Sequence, residues 1–148
     1  MNQIPSLDLK DFTQGNTVTK NRFVRDLGKA YNEIGFVAIS GHFLSDDLVN
    51  NLYKQIKLFF DLPDHIKCKY EITGLGGQRG YTSFGKEHAK GKKEGDLKEF
   101  WHFGQYRDVD EELKSYYPPN VIVEEAPEFN KVGEKVFQAL EETGIALL

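Results

Sequence analysis

The sequence predicts a mixed α/β (α+β) fold, with helices packed on a few short strands. Apolar residues recur at helical spacing in residues 19–34 and again from Leu44 onward, as expected for amphipathic helices. Between these stretches, residues 36–39 form an apolar run without polar alternation, which is typical of a buried strand. Glycines and prolines separate the periodic stretches, and such residues mark turns.

Length and composition predict one globular domain over residues 1–148. The 148 residues are 39% hydrophobic and 13% aromatic, which is enough to form a core. The net charge of -4 and the pI of about 5.6 argue against a nucleic-acid-binding protein, because phosphate contacts need a basic field.

The single cysteine and the first residues predict a cytoplasmic location. With Cys68 alone, an internal disulfide and a cysteine-only zinc site are excluded. The N-terminal sequence lacks the basic start and long apolar core of a signal peptide, and no apolar run is long enough for a membrane span. We expect Cys68 to be a small buried apolar group of an amphipathic helix and not a nucleophile.

The first elements are a strand, a helix and a second strand. Residues 4–9 contain Pro5, which cannot donate a ladder hydrogen bond, so an edge strand is expected. Residues 19–34 follow as a helix that Gly35 ends. The apolar face of this helix consists of Phe23, Leu27, Tyr31 and Ile34. Residues 36–39 are expected to form a strand that is covered on both faces.

The next helix is well specified at both ends. Ser45 can cap its free amides, and Asp46 and Asp47 lie at the positive end of its dipole. Pro63 ends it and opens a second short helix that runs through Tyr70. A wide apolar stripe predicts that the first of these helices is packed, and it contains Leu48, Val49, Leu52, Tyr53, Ile56, Phe59 and Phe60.

Residues 74–95 are a candidate binding element. They contain seven glycines and no apolar periodicity, which predicts a long loop or a pair of loosely paired strands. Their lysine cluster consists of Lys86, Lys90, Lys92 and Lys93. Residues 79–85 are locally similar to a strand, and residues 100–103 are the next strand candidate, with Glu99, Trp101 and Phe103 on one face.

A last helix is predicted from residues 126–128 onward. Phe129, Val132, Val136 and Leu140 hold a helical spacing, and the apolar pattern is intact at residues 144–148, without a capping glycine or a polar tail. We therefore expect this chain to be the front portion of a larger protein, or another chain to cover the helix.

The histidines do not predict a metal site. His42, His65, His88 and His102 fall in four different elements, and none has Asp or Glu two residues later, as a facial triad for iron requires. None belongs to an H-E-x-x-H motif. Each is more often a surface or hydrogen-bonded histidine than a ligand.

Two other patterns in the glycine-rich segment concern anion binding. Residues 80–86 fit the first seven positions of the nucleotide-binding G-x-x-x-x-G-K motif, but Glu87 replaces the magnesium-binding hydroxyl, so a nucleotide loop is not expected. Arg79, Tyr81 and Ser83 would share one strand face and offer a forked cation and two hydroxyls to an anionic ligand. On the residues alone, an ordinary surface arginine is the more frequent case.

The order of several short motifs resembles a known family. These motifs are Ile4-Pro5-x-Leu7-Asp8-Leu9, Gly35-Phe36-Val37-x-Ile39-x-Gly41-His42, Phe59-Phe60-x-Leu62-Pro63, Arg79-Gly80-Tyr81 and Asp96-x-x-Glu99-Phe100. Together they cover nearly the whole chain, and their order and spacing resemble the N-terminal region of the isopenicillin N synthase-like 2-oxoglutarate/Fe(II)-dependent dioxygenases.

The resemblance implies a front region that flanks a double-stranded β-helix, or jelly roll, whose core is absent from this sequence. In that family the core holds iron by His-x-Asp and a distal His, and 2-oxoglutarate by an Arg-x-Ser pair. None of these motifs occurs here, so we expect no catalytic residue and no cofactor bound by this segment, while the parent protein would use both. The family's matching segment forms one wall of the substrate pocket, which makes Arg79, Tyr81 and Ser83 the candidate substrate contacts.

Two hypotheses follow for the function. In the first, the chain is the inactive N-terminal segment of an oxygenase (an oxidoreductase) that acts on a small molecule. In the second, it is a non-enzymatic binding or interaction module of the same ancestry. Its expected partner is the missing C-terminal half or a second copy bound along Phe129, Val136 and Leu140, with neither nucleic acid nor membrane involved.

Overall fold

The computed structural model of the chain describes residues 3–88, 90–91, 94–107, 109–114 and 116–148. Two compact units are present within these ranges. The first consists of the described residues up to Ser45 together with Ala139–Leu148, and the second consists of Asp46–Gln138.

The first unit contains a parallel pair of short strands, β1 (Ser6–Asp8) and β2 (Ala38–Ser40), with Leu7 opposite Ile39. The amide of Ala38 donates to the carbonyl of Pro5 at 2.8 Å, so Pro5 takes part as an acceptor only. The edge strand predicted for residues 4–9 is confirmed. The expected cover on both faces of residues 36–39 is wrong, because the described sheet has only two strands and Phe36 is 68% exposed.

Two helices lie between these strands, α1 (Lys10–Thr13), which was not predicted, and α2 (Thr17–Glu33). The side chain of Asn16 accepts hydrogen bonds from the amides of Val18 and Thr19, so α2 begins before the predicted residue 19. Gly35 has a φ of +81° and its amide donates to the carbonyl of Ala30, which confirms the predicted stop.

The buried face of α2 differs from the predicted one at one position. Phe23 and Ala30 are buried, whereas Tyr31 is 54% exposed. The positions 23, 27, 30 and 34 follow the helical period more closely than 23, 27, 31 and 34 do. The small Ala30 therefore occupies the buried position that was predicted for Tyr31.

The second unit begins with α3 (Asp46–Phe60), followed by α4 (Asp64–Lys67) and a 3-10 helix at Cys68–Tyr70. Pro63 stands at the N-cap of α4, so the predicted second short helix through Tyr70 is confirmed. The predicted burial of Cys68 is wrong, because Lys67 and Tyr70 are the buried residues of this turn and Cys68 is exposed.

Among the described residues of the glycine-rich segment, the regular element is β3 (Gly80–Thr82), which pairs antiparallel with β4 (Phe100–His102) and places Tyr81 opposite Trp101. The predicted strands are thus present but shorter on the side of residues 79–85. Lys92 and Lys93 of the predicted lysine cluster lie outside the described residues.

An aromatic cluster forms the core of the second unit. The ring of Phe59 stacks on Phe129 with centroids 5.0 Å apart and meets Trp101 edge to face at 4.8 Å. The buried rings of the cluster are Phe59, Tyr70, Tyr81 and Phe129, and the buried Val123 packs among them. The cluster therefore holds the β3–β4 pair against residues of α3 and of the last helix.

The last helix, α5, runs over Pro127–Leu147. Phe129 and Val136 are buried in this chain, while Leu140 is 54% exposed. Of the surface expected for a second copy, Phe129 and Val136 are therefore already covered, and only Leu140 is available for contact. Within the described ranges, no helix combines the length and apolar character that crossing a lipid bilayer requires.

Candidate functional site

A buried ionic network fixes the β3–β4 pair to α4. One carboxylate oxygen, Oε2 of Glu99, accepts hydrogen bonds from the hydroxyl of Tyr81 at 2.5 Å and from Nζ of Lys67 at 2.8 Å. Lys67 is 4% exposed and its Nζ also lies 3.1 Å from Oδ1 of Asp64. The network therefore gives a buried cation two carboxylate partners, as buried charges require.

The protonation of this network is set by its surroundings. Burial raises the pKa of Tyr81, and the hydrogen bond and charge of Glu99 raise it further, so the phenol stays a neutral donor. Burial alone lowers the pKa of Lys67, but its hydrogen bonds to Glu99 and Asp64 and their charges outweigh burial, so the pKa lies above its ordinary value. Tyr81 and Lys67 thus serve as hydrogen-bond donors that hold the strand in place.

Arg79 does not present a free guanidinium. Its Nε donates to the carbonyl of Pro118 at 3.1 Å and its Nη1 to the carbonyl of Gln78 at 2.7 Å. The guanidinium also lies where a side chain on Gly104 would begin, since an added Cβ there would be 1.8 Å from Arg79 Cζ. Its fork is therefore used on backbone carbonyls of this chain.

The expected common face of Arg79, Tyr81 and Ser83 is not formed. Gly80 has a φ of +78°, a left-handed conformation that interrupts the alternation of a strand. Arg79 contacts Pro118, Tyr81 contacts Glu99, and the hydroxyl of Ser83 donates to Oε2 of Glu71 at 3.0 Å. The substrate contacts predicted for these residues stay a prediction, but their side chains do not converge.

A cavity of about 420 Å³ lies beside Tyr81, between residues 68–77 and 81–87. Its floor is a turn in which Gly74, Gly76 and Gly77 all have positive φ. Nδ1 of His102 lies 2.5 Å from the carbonyl oxygen of Gly77 and ties this turn to β4. The cavity thus borders residues 74–95, the segment expected from its composition to be a binding element, and its turn uses backbone conformations that only glycine adopts easily.

The charged groups that line the cavity are Glu71, Lys86 and Glu87, and its other polar side chains are Cys68, Thr73, Tyr81 and Thr82. Nζ of Lys86 lies 3.5 Å from Oε1 of Glu71. Oγ1 of Thr82 is buried and has no hydrogen-bond partner among the described residues. Sequence reasoning missed Glu71 and Thr82, because Glu71 belongs to no motif and Thr82 occupies an unspecified position of the pattern at residues 80–86. The two residues meet only when the glycine turn folds back toward β3.

An iron centre does not fit the described residues. No three histidine, cysteine, aspartate or glutamate side chains among them are close enough together to hold a metal ion. His102, one of the four histidines of the sequence, is occupied at Nδ1 by the Gly77 carbonyl. We derive no chemical step through a metal from the residues of this chain.

Comparison with known proteins gives a consistent result. A profile of the family described as non-haem dioxygenase in morphine synthesis N-terminal matches residues 4–125. The 2-oxoglutarate-dependent dioxygenase caaD of Aspergillus niger is 31% identical in an alignment of 146 positions that covers 96% of this chain and 45% of that protein. The 2-oxoglutarate-dependent dioxygenase imqE of Aspergillus flavus is 36% identical over 86 residues, 57% of this chain and 24% of that protein.

Solved structures have the same fold. A 2OG-Fe(II) oxygenase family protein from Caulobacter crescentus superposes with a TM-score of 0.82 at 28% identity, over 99% of this chain and 47% of that one. A full-length Neurospora crassa protein crystallised with alpha-KG gives a TM-score of 0.78 at 20% identity, over 99% of this chain and 46% of that one. The chain thus spans about half the length, or less, of the proteins it matches.

Proposed function

The chain belongs to the non-haem dioxygenase N-terminal family, and from this premise we propose that it is the front portion of a 2-oxoglutarate- and Fe(II)-dependent oxygenase. The parent protein would oxidise a small molecule. This portion would supply part of the substrate pocket and be inactive by itself.

The observation that carries the proposal is the extent of the match. Nearly all of this chain corresponds to less than half of an Aspergillus niger 2-oxoglutarate-dependent dioxygenase and of a Caulobacter crescentus oxygenase family protein. The described residues include no cluster of three or more histidine, cysteine, aspartate or glutamate side chains that could hold a metal ion. In the proposal, iron and 2-oxoglutarate therefore belong to a jelly-roll half that is not in this sequence, and that half is the partner of this chain.

The β3–β4 pair would form the wall of the substrate pocket, with Arg79, Tyr81 and Ser83 as the proposed substrate contacts. Tyr81 lines the cavity directly, and Ser83 bonds to Glu71, which also lines it. Arg79 would act on the shape of the wall through Pro118. The Lys67–Glu99–Tyr81 network supports this role, because it makes the strand rigid where a ligand would be positioned.

A small molecule as substrate is supported by the names of two relatives. A homoarginine-6-hydroxylase of Arabidopsis thaliana is 34% identical over 84 residues. A 1-aminocyclopropane-1-carboxylate oxidase of Dictyostelium discoideum is 34% identical over 110 residues, 73% of this chain. Both names specify small molecules that carry an amino group and a carboxylate.

The proposal is tested by comparing this chain with a version extended by the coding sequence downstream of Leu148. The extension should contain His-x-Asp and Arg-x-Ser, and the extended protein should consume O2 and convert 2-oxoglutarate to succinate and CO2 when Fe(II) is added. The chain alone should do neither. Tight stoichiometric Fe(II) binding by the chain alone, in a calorimetric titration, would contradict the proposal.

A non-enzymatic binding module is the second candidate. The observation that favours it is exposed apolar surface on the glycine-rich segment and next to it, where Phe84 is 56% and Leu97 94% exposed. An extended protein that binds no Fe(II), or a downstream sequence without the two motifs, would select this candidate over the oxygenase.

A further inference from the structure

We propose that the cavity beside Tyr81 binds a small zwitterion, a molecule with one ammonium and one carboxylate group such as an α-amino acid. The inference rests on the proposed function, because it takes this cavity to be part of the substrate pocket. It adds the chemical class of the ligand.

The charged groups of the cavity are one cation and two anions whose ion pairs are long or exposed, and Glu71 also accepts a hydrogen bond from the hydroxyl of Ser83 at 3.0 Å. Lys86 and Glu71 are 3.5 Å apart, with side chains 61% and 26% exposed. Glu87 at the rim pairs with Lys98 at 3.2 Å. Ion pairs at such distance and exposure contribute little to stability, so a ligand can separate Lys86 from Glu71 at small cost.

A zwitterion that separates Lys86 from Glu71 can form an ion pair with each of them. The ligand carboxylate would accept a hydrogen bond from the ammonium of Lys86, and the ligand ammonium would donate one to the carboxylate of Glu71. A ligand with a single charge would pair with only one of these groups and would gain one charged hydrogen bond instead of two. The geometry therefore favours a molecule that carries both charges over a simple acid or a simple amine.

The hydroxyl of Thr82 is an independent sign of a ligand. Thr82 is 5% exposed and lines the cavity, and its Oγ1 has no partner among the described residues. Buried polar groups in folded proteins are nearly always hydrogen-bonded. A hydroxyl can donate to a carboxylate or accept from an ammonium, so either end of a zwitterion would complete it once the atoms that now cover Oγ1 move aside.

The size and the remaining lining fit an amino acid with its side chain. The cavity of about 420 Å³ falls within the usual range of small-molecule sites, roughly 300–1,000 Å³. Ile72 and the ring of Tyr81 supply apolar lining for a side chain. The positive φ values of Gly76 and Gly77 allow the floor of the cavity to turn without side chains that would fill it.

Binding to the chain as it stands tests the inference. L-Alanine, L-alaninamide, which lacks the carboxylate, and N-acetyl-L-alanine, which lacks the ammonium, are titrated separately into the protein and followed by amide NMR signals. We expect L-alanine to shift Gly74, Gly77 and Thr82 saturably, and each of the other two to bind at least about tenfold more weakly, because each lacks one charged hydrogen bond. No saturable shift, or equal affinities for all three, would overturn the inference.

Single substitutions assign the two ends of the ligand. Lys86→Met should weaken L-alanine about tenfold and leave L-alaninamide unchanged, whereas Glu71→Gln should weaken L-alanine and L-alaninamide but not N-acetyl-L-alanine. Thr82→Val, which keeps the shape and removes the hydroxyl, should weaken L-alanine. Lys131→Met is the matched control, because Lys131 is an exposed lysine that pairs with Glu128 on α5, and Glu128 does not line the cavity. Equal effects of Lys86→Met and Lys131→Met would refute the assignment.

Failure of this inference is distinguishable from failure of the proposed function. If the extended protein turns over 2-oxoglutarate but the chain shows no preference for L-alanine, the ligand class is wrong and the oxygenase stands. If the probes bind as expected and the extended protein lacks iron and turnover, the ligand class stands and the oxygenase does not.

Discussion

A single carboxylate oxygen of Glu99 accepts hydrogen bonds from two donors, so removing this side chain should lower the stability of the protein. Removing it leaves the buried ammonium of Lys67 with the exposed Asp64 as its remaining carboxylate partner. We expect Glu99→Ala to lower the free energy of unfolding by about 3 kcal/mol, as for other broken buried pairs. Tyr81→Phe, which removes one hydrogen bond, should cost about 1 kcal/mol. Urea titrations monitored by Trp101 fluorescence measure both.

The control for this prediction is Lys57→Ala. Lys57 and Asp61 form an exposed pair at 2.7 Å with side chains 75% and 60% exposed, and such pairs contribute about 0.5 kcal/mol or less. If Glu99→Ala were no more destabilising than Lys57→Ala, the network would have no role in holding β3.

Stability should fall at alkaline pH because of three tyrosines. Burial raises the pKa of Tyr106 to about 12, with a contribution from the charge of Glu134. Burial also raises the pKa of Tyr70 and Tyr81. An unfolded phenol ionises near about pH 10, so above that pH the unfolded chain loses protons that the folded chain retains, and folding becomes less favourable until the folded pKa is passed.

The Tyr106→Phe variant isolates one of these groups. Its stability should fall less steeply than that of the wild type between about pH 10 and about pH 12, and the two should run parallel below that range. Tyr53→Phe, which removes a phenol that is 68% exposed, is the matched control. Identical slopes for the wild type and Tyr106→Phe in denaturant titrations would be evidence against this explanation.

At the residue scale, the sequence predicted which residues are of interest better than it predicted where their side chains point. It pointed to the segment of Arg79, Tyr81 and Ser83, but strand alternation alone could not show that Gly80 turns Arg79 toward Pro118. It also assigned Cys68 to the buried side of its helix, where the 3-10 geometry of residues 68–70 exposes it. Both differences arise from local backbone conformations that a period of two or 3.6 residues does not describe.

At the element scale, two glycines of α5 make a matched test of packing against helix propensity. An added Cβ on Gly133 would lie 2.3 Å from the ring of Phe103, whereas nothing lies within 4 Å of one on Gly144. We expect Gly133→Ala to destabilise the protein by about 1–3 kcal/mol through overpacking. Gly144→Ala should stabilise it by up to about 1 kcal/mol, because alanine is the better helix former.

Thermal unfolding monitored by circular dichroism at 222 nm would show the opposite signs of these two changes. If both variants gained stability, Phe103 would be able to move away from α5, and the aromatic cluster would be looser than its ring contacts indicate.

Helices were the more predictable elements. The apolar period located α2, α3 and α5, and the caps at Asn16 and Gly35 account for both ends of α2. The short α1 lacks a repeating apolar face to reveal it, since four residues make about one turn. The strands have three residues each, and the sequence predicted their positions correctly but predicted longer strands. The sequence pattern does not distinguish residues that pair with a neighbouring strand from extended residues that flank them.

At the scale of the whole molecule, self-association through α5 stays a prediction, and fewer exposed residues support it than the sequence suggested. Of the residues first considered for it, only Leu140 is exposed, at 54%. If a second copy covers this surface, sedimentation velocity should show concentration-dependent association that Leu140→Lys abolishes. Val18→Lys, at a site 77% exposed on α2, is the control. A single monomeric species at all concentrations would exclude the contact.

The family could be predicted from the order of short motifs, and the profile match over residues 4–125 confirms it. The cavity could be predicted only in part. Its glycine turn is visible in the sequence, but Glu71, Thr82 and Lys86 come together through the fold, and no spacing rule joins them.

The sharing of Glu99 Oε2 by Tyr81 and Lys67 has a consequence for inheritance. A relative that lost Glu99 and kept Lys67 would have a buried ammonium without its buried carboxylate partner. We therefore expect positions 67 and 99 to co-vary among proteins that descend from a common ancestor. The tyrosine, which is neutral, is free to become phenylalanine without that constraint.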